Sequence, residues 1–208
     1  MRLDLSLYLV TDPRLCAERG LVETVVAAVR GGATLVQLRD KHASDGEMID
    51  QARRLKAALA GSGVPLLIND RLAVAVESGA DGLHMGQDDG EVAAARAALG
   101  EGAILGLSVQ TLAQMARVDA ERLDYLGLGP VFATSSKHDH AEPLGFEGLA
   151  RLAAASPLPA VAIGGLKAEH AEAVRQAGVL GPAVISAICG RPDPEAAARA
   201  FAGGGRPN

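Results

Sequence analysis

The chain has 208 residues, 49% of them apolar and 22% charged, and a net charge of −5. That acidic balance sets aside general nucleic-acid and anionic-membrane binders, which carry a basic excess, and two Tyr, three Phe and no Trp leave few platforms for stacking single strands. Cys16 and Cys189 are too few for a disulfide framework, and no apolar run is long enough to span a bilayer, so a soluble cytoplasmic protein without a signal peptide is expected.

Apolar runs of strand length alternate with Ala-rich stretches of helical period. A strand over 5–11 precedes a helix over 21–30, and a strand over 34–39 precedes a helix over 45–60. Strands over 64–69 and 82–85 lead into helices over 73–78 and 91–99. A strand over 103–108 is followed by a helix over 112–121, and one over 124–128 by a helix over 146–155. The last two units pair strands over 159–163 and 183–186 with helices over 168–177 and 194–201. Several of these strands are apolar throughout, as expected where both faces of a parallel sheet are covered. Eight such units without a composition break predict an α/β chain folded as a single (β/α)8 TIM barrel over 1–202, with a disordered tail at 203–208. An open doubly wound sheet is the alternative. No Gly-x-Gly-x-x-Gly follows the first strand, so a dinucleotide site has no support. The segment 129–145 is a long polar loop in an otherwise economical chain, and such loops are functional lids or disordered.

In this fold the chemistry sits at the C-terminal ends of the strands. Gln37, Arg39 and Lys41 close the second strand at alternate positions, so they share a face, and an amide beside two cations calls for an anion. Asn69 and Asp70 follow the third strand, and Gln87, Asp88 and Asp89 the fourth. Asp70 and Asp89 read either as helix N-caps or as a Mg²⁺ pair, since Mg²⁺ takes one or two carboxylates together with substrate phosphates; Asp88 is the neighbouring candidate. Ser108 ends the fifth strand. Thr134, Ser136 and Lys137 in the long loop offer two hydroxyls and a point charge to an anion, against the plainer reading of a solvated loop. Gly164-Gly165, opening a helix after the seventh strand, lets backbone N–H groups approach a phosphate, against the plainer reading of a helix-entry turn, and Ser186 ends the eighth strand. His138 and His140 flank Asp139 but read as solvated, His84 as a hydrogen-bonded core histidine, and Cys189 lacks a partner that would make it a nucleophile.

These residues, in this order, resemble the thiamine phosphate synthase family over nearly the whole chain. The matching segments are 7–12, 37–41 (Gln-Leu-Arg-Asp-Lys), 69–71 (Asn-Asp-Arg), 79–89, 105–108, 124–132, 162–165 and 184–188. The resemblance implies a (β/α)8 barrel that joins 4-amino-5-hydroxymethyl-2-methylpyrimidine diphosphate to 4-methyl-5-(2-hydroxyethyl)thiazole phosphate, giving thiamine phosphate and pyrophosphate. It puts Gln37, Arg39, Lys41 and Asn69 on the pyrimidine diphosphate and Mg²⁺ on Asp70 and Asp89. Ser108 and Lys137 would lie near the departing pyrophosphate, with Arg39 assisting, while Thr134, Ser136, Gly165, Ile185 and Ser186 would form the thiazole phosphate pocket. The partners implied are these small molecules, with no nucleic acid or membrane, and a homo-oligomer is left open.

Two departures stand out. The family's Thr-x-Thr-Lys reads Thr134-Ser135-Ser136-Lys137, and its Gly-Ala-Asp-Gly-Val before the eighth strand reads Gly178-Val179-Leu180-Gly181-Pro182. A proline is tolerated as a strand's first residue, so a local change is expected there. A related thiazole tautomerase and a non-catalytic thiazole or thiamine phosphate sensor are the competing readings, and Arg39, Lys41, Asp70, Asp89 and Lys137 disfavour the tautomerase, which needs neither diphosphate nor magnesium.

Overall fold

A computed structural model describes residues 3–133 and 142–202. Within them, eight parallel strands close into a barrel in sequence order: β1 (Tyr8–Val10), β2 (Leu35–Leu38), β3 (Leu66–Asn69), β4 (Gly82–Met85), β5 (Ile104–Val109), β6 (Tyr125–Leu128), β7 (Ala160–Ile163) and β8 (Gly181–Val184). The ring is completed where β1 meets β8, with Tyr8 opposite Ala183 and Leu9 opposite Val184. Around it run α1 (Leu21–Arg30), α2 (Asp45–Leu59), α3 (Leu72–Ser78), α4 (Val92–Leu99), α5 (Leu112–Met115), α6 (Gly145–Ala155), α7 (Ala171–Gln176) and α8 (Pro194–Ala202), with a 3₁₀ turn at Ala168–His170 ahead of α7. The predicted (β/α)8 barrel is the observed fold. No helix among the described residues is long and apolar enough to cross a membrane.

Two apolar layers hold the barrel. The outer one packs strand residues such as Val36, Leu38 and Leu66 against helix residues such as Val25, Met48 and Leu55. The inner one fills the barrel with Leu5, Tyr8, Leu35, Leu67, Tyr125, Val161 and Ala183. The period-2 alternation of a strand sorts β2 between them: Leu35 and Gln37 point inward, Val36 and Leu38 outward. Helix α2 buries Met48, Ile49, Ala52, Leu55 and Leu59, the stripe expected of a 3.6-residue period. Its start is fixed by Ser44, whose Oγ accepts from Glu47 N–H while the Glu47 carboxylate accepts from Ser44 N–H. Each fully buried Leu or Met contributes roughly 1.5–3 kcal/mol by leaving water.

Aspartates brace the N-terminal ends of two strand pairs. Asp81, just before β4, donates its N–H to Leu66 O and accepts Leu66 N–H on Oδ2, both at 2.8 Å. Asp124, before β6, repeats this on Leu105 at 2.8 and 2.7 Å. Lys56 holds Asp81 at 2.8 Å, and Arg96 holds Asp124 at 2.8 Å. Arg96 also donates to the carbonyls of Gly100, Ala103 and Arg122, so its buried charge is fully engaged.

Two elements depart clearly from the predicted bounds. Helix α5 stops at Met115 rather than reaching 121. After it, Asp119 O accepts the N–H groups of Arg122 and Leu123, and its carboxylate meets Arg122 at 2.6 Å, so this Asp opens a fresh turn instead of continuing the helix. Strand β8 lies at 181–184, two residues earlier than predicted, which leaves Ser186 in the turn beyond it. Pro182 is therefore the strand's second residue, opposite Ala162, and supplies no N–H to the ladder. The two ends of the 129–145 loop are tied together: Leu144 N–H donates to Pro130 O and Gly145 N–H to Val131 O, while Val131 and Phe132 N–H groups donate to the carbonyls of Ile163 and Gly164. Thr134, Ser136, Lys137, His138 and His140, and the tail 203–208, lie outside the described residues.

Candidate active site

A cavity opens at the C-terminal mouth of the barrel. Its walls include six predicted residues, Gln37, Arg39, Ser108, Gly165, Ile185 and Ser186. They come from β2, β5 and the segments after β7 and β8, so residues distant in sequence converge on one space.

The strand alternation delivers Gln37 and Arg39 to it, and both are buried. Thr11, just past β1, accepts Arg39 N–H on its hydroxyl at 3.0 Å and thereby joins the rims of β1 and β2. A guanidinium cannot shed its proton, so its burial at a cavity wall favours an anionic guest. The alternation stops before Lys41. Asp40 Oδ1 accepts the N–H groups of His42 and Ala43, which turns the chain, and Lys41 is exposed at the rim and is not among the residues lining the cavity.

Asn69 closes β3 with its Cα opposite His84 of β4, and Asp70 N–H donates to His84 O at 2.9 Å. Neither Asp70 nor Asp89 is a helix cap: the residue ahead of α3 is Arg71, and the residue ahead of α4 is Glu91. Asp70 instead has φ 63°, the single positive φ of a non-glycine residue among the described residues. Such backbone costs about 1 kcal/mol or more and clusters where function over-determines geometry. Asp89 Oδ2 accepts from Gly86 N–H, folding the loop after β4 on itself. The carboxylates thus follow adjacent strands β3 and β4, and hard oxygen donors of this kind suit Mg²⁺, which fills its remaining positions with water and phosphate. Among the described residues no three His, Cys, Asp or Glu side chains gather as a complete metal cage. Asp88 is exposed beside Asp89.

The floor of the cavity is a hydrogen-bonded chain. Gln37 Nε2 donates to Tyr8 Oη at 2.6 Å; Tyr8 and Tyr125 hydroxyls lie 2.9 Å apart; Tyr125 Oη is 2.7 Å from His84 Nδ1, and His84 Nε2 is 2.9 Å from Ser108 Oγ. The Tyr125 ring has room because position 106, its register partner on β5, is glycine; a Cβ there would lie 2.2 Å from the ring. Burial pushes both phenols above their ordinary pKa, so they remain protonated. His84 is the hydrogen-bonded core histidine that the sequence predicts. Tyr8 and Tyr125 escape a sequence reading because nothing marks partners 117 residues apart; the inward register of Tyr8 with Val10 on the first strand was the available signal.

Gly164 and Gly165 sit at φ 95° and 66° in a bend ahead of the 3₁₀ turn, so they do not open a helix directly. A Cβ on Gly165 would fall 2.7 Å from Phe132 Cβ, so only glycine lets this bend press against the base of the long loop. Gln110, Gly129 and Pro130 complete the rim. Behind it, Cys16 and Cys189 are buried, Cys189 Sγ–H donates to Val10 O at 3.7 Å, and the neighbouring Cys189 sulfur draws the Cys16 thiol down to about 7.

Known proteins place the chain. A family profile described as thiamine monophosphate synthase matches residues 7–188. The thiamine-phosphate synthase of Psychrobacter sp. (strain PRwf-1) is 56% identical over 197 residues, covering 93% of this chain and 92% of that one. That of Azorhizobium caulinodans is 55% identical, covering 94% and 92%. A solved structure, thiamine phosphate pyrophosphorylase from Pyrococcus furiosus, superposes with a TM-score of 0.86 at 35% identity over 96% of this chain and 95% of that one. Matches of this extent, on a closed eight-stranded barrel, establish that the chain belongs to the thiamine monophosphate synthase family.

Proposed function

We propose that this chain is a transferase that joins 4-amino-5-hydroxymethyl-2-methylpyrimidine diphosphate to 4-methyl-5-(2-hydroxyethyl)thiazole phosphate and releases pyrophosphate. The observation that carries the reading is the convergence of buried Gln37, Arg39 and Ser108 with Gly165, Ile185 and Ser186 on one cavity. Arg39 and Ser108 face the diphosphate from the β2 and β5 ends. We assign Asn69, Lys41 and Lys137 to the same diphosphate, and Thr134 and Ser136 to the thiazole phosphate. Gly165, Ile185 and Ser186 receive the thiazole phosphate.

The chemistry needs charge rather than a strong base. When pyrophosphate leaves ahead of bond formation, negative charge grows on its oxygens, and fixed cations stabilise it directly. Asp70 and Asp89 would hold Mg²⁺, which when bound neutralises phosphate charge as a Lewis acid. The thiazole nitrogen attacks with its own lone pair, so no side chain has to remove a proton from it. Apolar walls from Val10, Ile163 and Leu166 exclude water from the electron-poor carbon. We assign this work to one barrel domain, residues 1–202, acting in the cytoplasm.

The test is to incubate the purified protein with both substrates and Mg²⁺ and follow pyrophosphate and thiamine phosphate. Stoichiometric appearance of both is the expected result. Thiazole isomerisation alone, or binding with no turnover, overturns it.

A further inference from the structure

The chain of hydrogen bonds under the cavity has a direction. Gln37 Nε2 is a pure donor, so Tyr8 Oη accepts there. Tyr8 must then place its own proton, and among the described residues the other partner of its hydroxyl is Tyr125. If Tyr8 donates to Tyr125, Tyr125 donates in turn to His84 Nδ1, and His84 carries its proton on Nε2, 2.9 Å from Ser108 Oγ. Reversing the flow makes Tyr125 donate to Tyr8 and strands the proton of a buried phenol, the kind of unmet donor that buried sites avoid. The outward direction satisfies every member and leaves one proton unspent, that of the Ser108 hydroxyl, at the cavity wall.

We infer that His84 is a positioning residue: held by Tyr125 as the Nε2–H tautomer, it donates to Ser108 Oγ and turns the Ser108 hydroxyl into a hydrogen-bond donor toward an acceptor atom of the bound diphosphate substrate. The substrate half of this statement rests on the proposed function; the tautomer half does not. The polarity originates at Gln37, so the two cavity residues Gln37 and Ser108, on strands β2 and β5, are set by one another through three buried groups. Phenols that stay protonated keep the relay in place across the working pH range.

Nitrogen-15 NMR of histidine-labelled protein reads the tautomer without substrate. The resonance lost in His84→Gln identifies the residue among five histidines. A neutral ring protonated on Nε2 is expected, and Nδ1–H or an imidazolium at pH 7.5 overturns the inference whether or not the protein turns over. Kinetics read the consequence. Ser108→Ala and His84→Phe should each lower kcat/KM for the pyrimidine diphosphate by about 10- to 100-fold, with KM for the thiazole phosphate unchanged. The double variant should be no worse than the weaker single one, because both remove the same donor. Losses that multiply overturn the coupling. Should His84→Phe not fold, Tyr125→Phe supplies the same cycle, since it removes the group that fixes the ring. A wild-type protein that shows the Nε2–H tautomer but releases no pyrophosphate sinks the proposed function and leaves the positioning of Ser108 standing.

Discussion

Leu180 occupies before β8 the place that Asp124 occupies before β6. Leu180 N–H donates to Ala160 O at 2.8 Å, just as Asp124 N–H donates to Leu105 O at 2.8 Å. Asp124 adds a carboxylate that accepts the Leu105 N–H in return, and Asp81 does the same for Leu66. Leucine has no such acceptor, and its side chain is 45% exposed.

Leu180→Asp should therefore stabilise the fold. A carboxylate there would reach the N–H of Ala160 and add about 0.5–1.5 kcal/mol, with little apolar burial lost. Thermal unfolding should move upward by roughly 2–4 °C per kcal/mol, with kcat unchanged. A lowered midpoint would show that the eighth unit does not share the geometry of the fourth and sixth.

Asp70 gives a contrasting case, in which shape and charge separate. Asn tolerates the left-handed backbone at this position, so Asp70→Asn should change stability by less than about 0.5 kcal/mol. Turnover at limiting Mg²⁺ should nevertheless fall at least about tenfold, and Asp89→Asn should behave alike. Asp70→Ala should cost about a further 1 kcal/mol in denaturant unfolding, because it lacks Asn's local hydrogen bonding in that conformation. Full activity of either Asn variant at limiting Mg²⁺ would remove the carboxylates from the metal assignment.

Arg39→Met keeps the buried volume and deletes the charge. The loss in kcat/KM for the pyrimidine diphosphate should be about 1.5–3 kcal/mol, the worth of a charged hydrogen bond. Stability should hold or rise, since replacing a buried ion with an apolar side chain is often neutral or favourable. A loss of stability with unaltered kinetics would make Arg39 a structural ion.

The two tyrosines make an alkaline titration unusually clean, because the chain has no others and no Trp. Burial raises both folded pKa values above that of the unfolded chain. Their contribution to stability is full below about pH 10 and is lost as pH climbs toward the folded values. Absorbance at 295 nm should stay flat through pH 10 and then rise together with loss of the circular dichroism signal. Phenolate appearing in folded protein near pH 10 would contradict the closed floor.

Cys16 titrates in the opposite sense. The neighbouring Cys189 draws its thiol from 9.0 to about 7. A folded pKa below the unfolded one adds stability above about pH 9 that disappears as pH falls through 7. Thiolate absorbance at 240 nm should show one group with a midpoint near 7, absent in Cys16→Ser and shifted upward in Cys189→Ala. A midpoint near 9 in the wild-type protein would break the pairing.

Much of this architecture was legible in the residues. Strands β2, β3 and β4 lie within the predicted runs because burial on both faces keeps them mostly apolar, with one polar residue each, Gln37, Asn69 and His84. The helix after β5 was overread: Asp119 sits inside a helical pattern, and its preference for starting a turn outweighs periodicity. The register of β8 was misplaced because Gly181 and Pro182, poor strand formers, are held there by neighbours on both sides rather than by propensity. At the mouth, alternation put Gln37, Arg39 and Lys41 on one face, and the Asp40 turn ends the alternation before Lys41. Asp70 was noticed for its carboxylate, while its backbone conformation, the stronger sign of function, is invisible in a string of letters.

Because Gly106 makes room for the Tyr125 ring against Tyr8, both tyrosines of this protein lie at one spot, directly beneath the space where a guest would sit. The molecule is thus born with its own reporter. Tyrosine emission from unlabelled protein should register occupancy of the barrel's mouth in real time, with no tryptophan or distant tyrosine to dilute the signal.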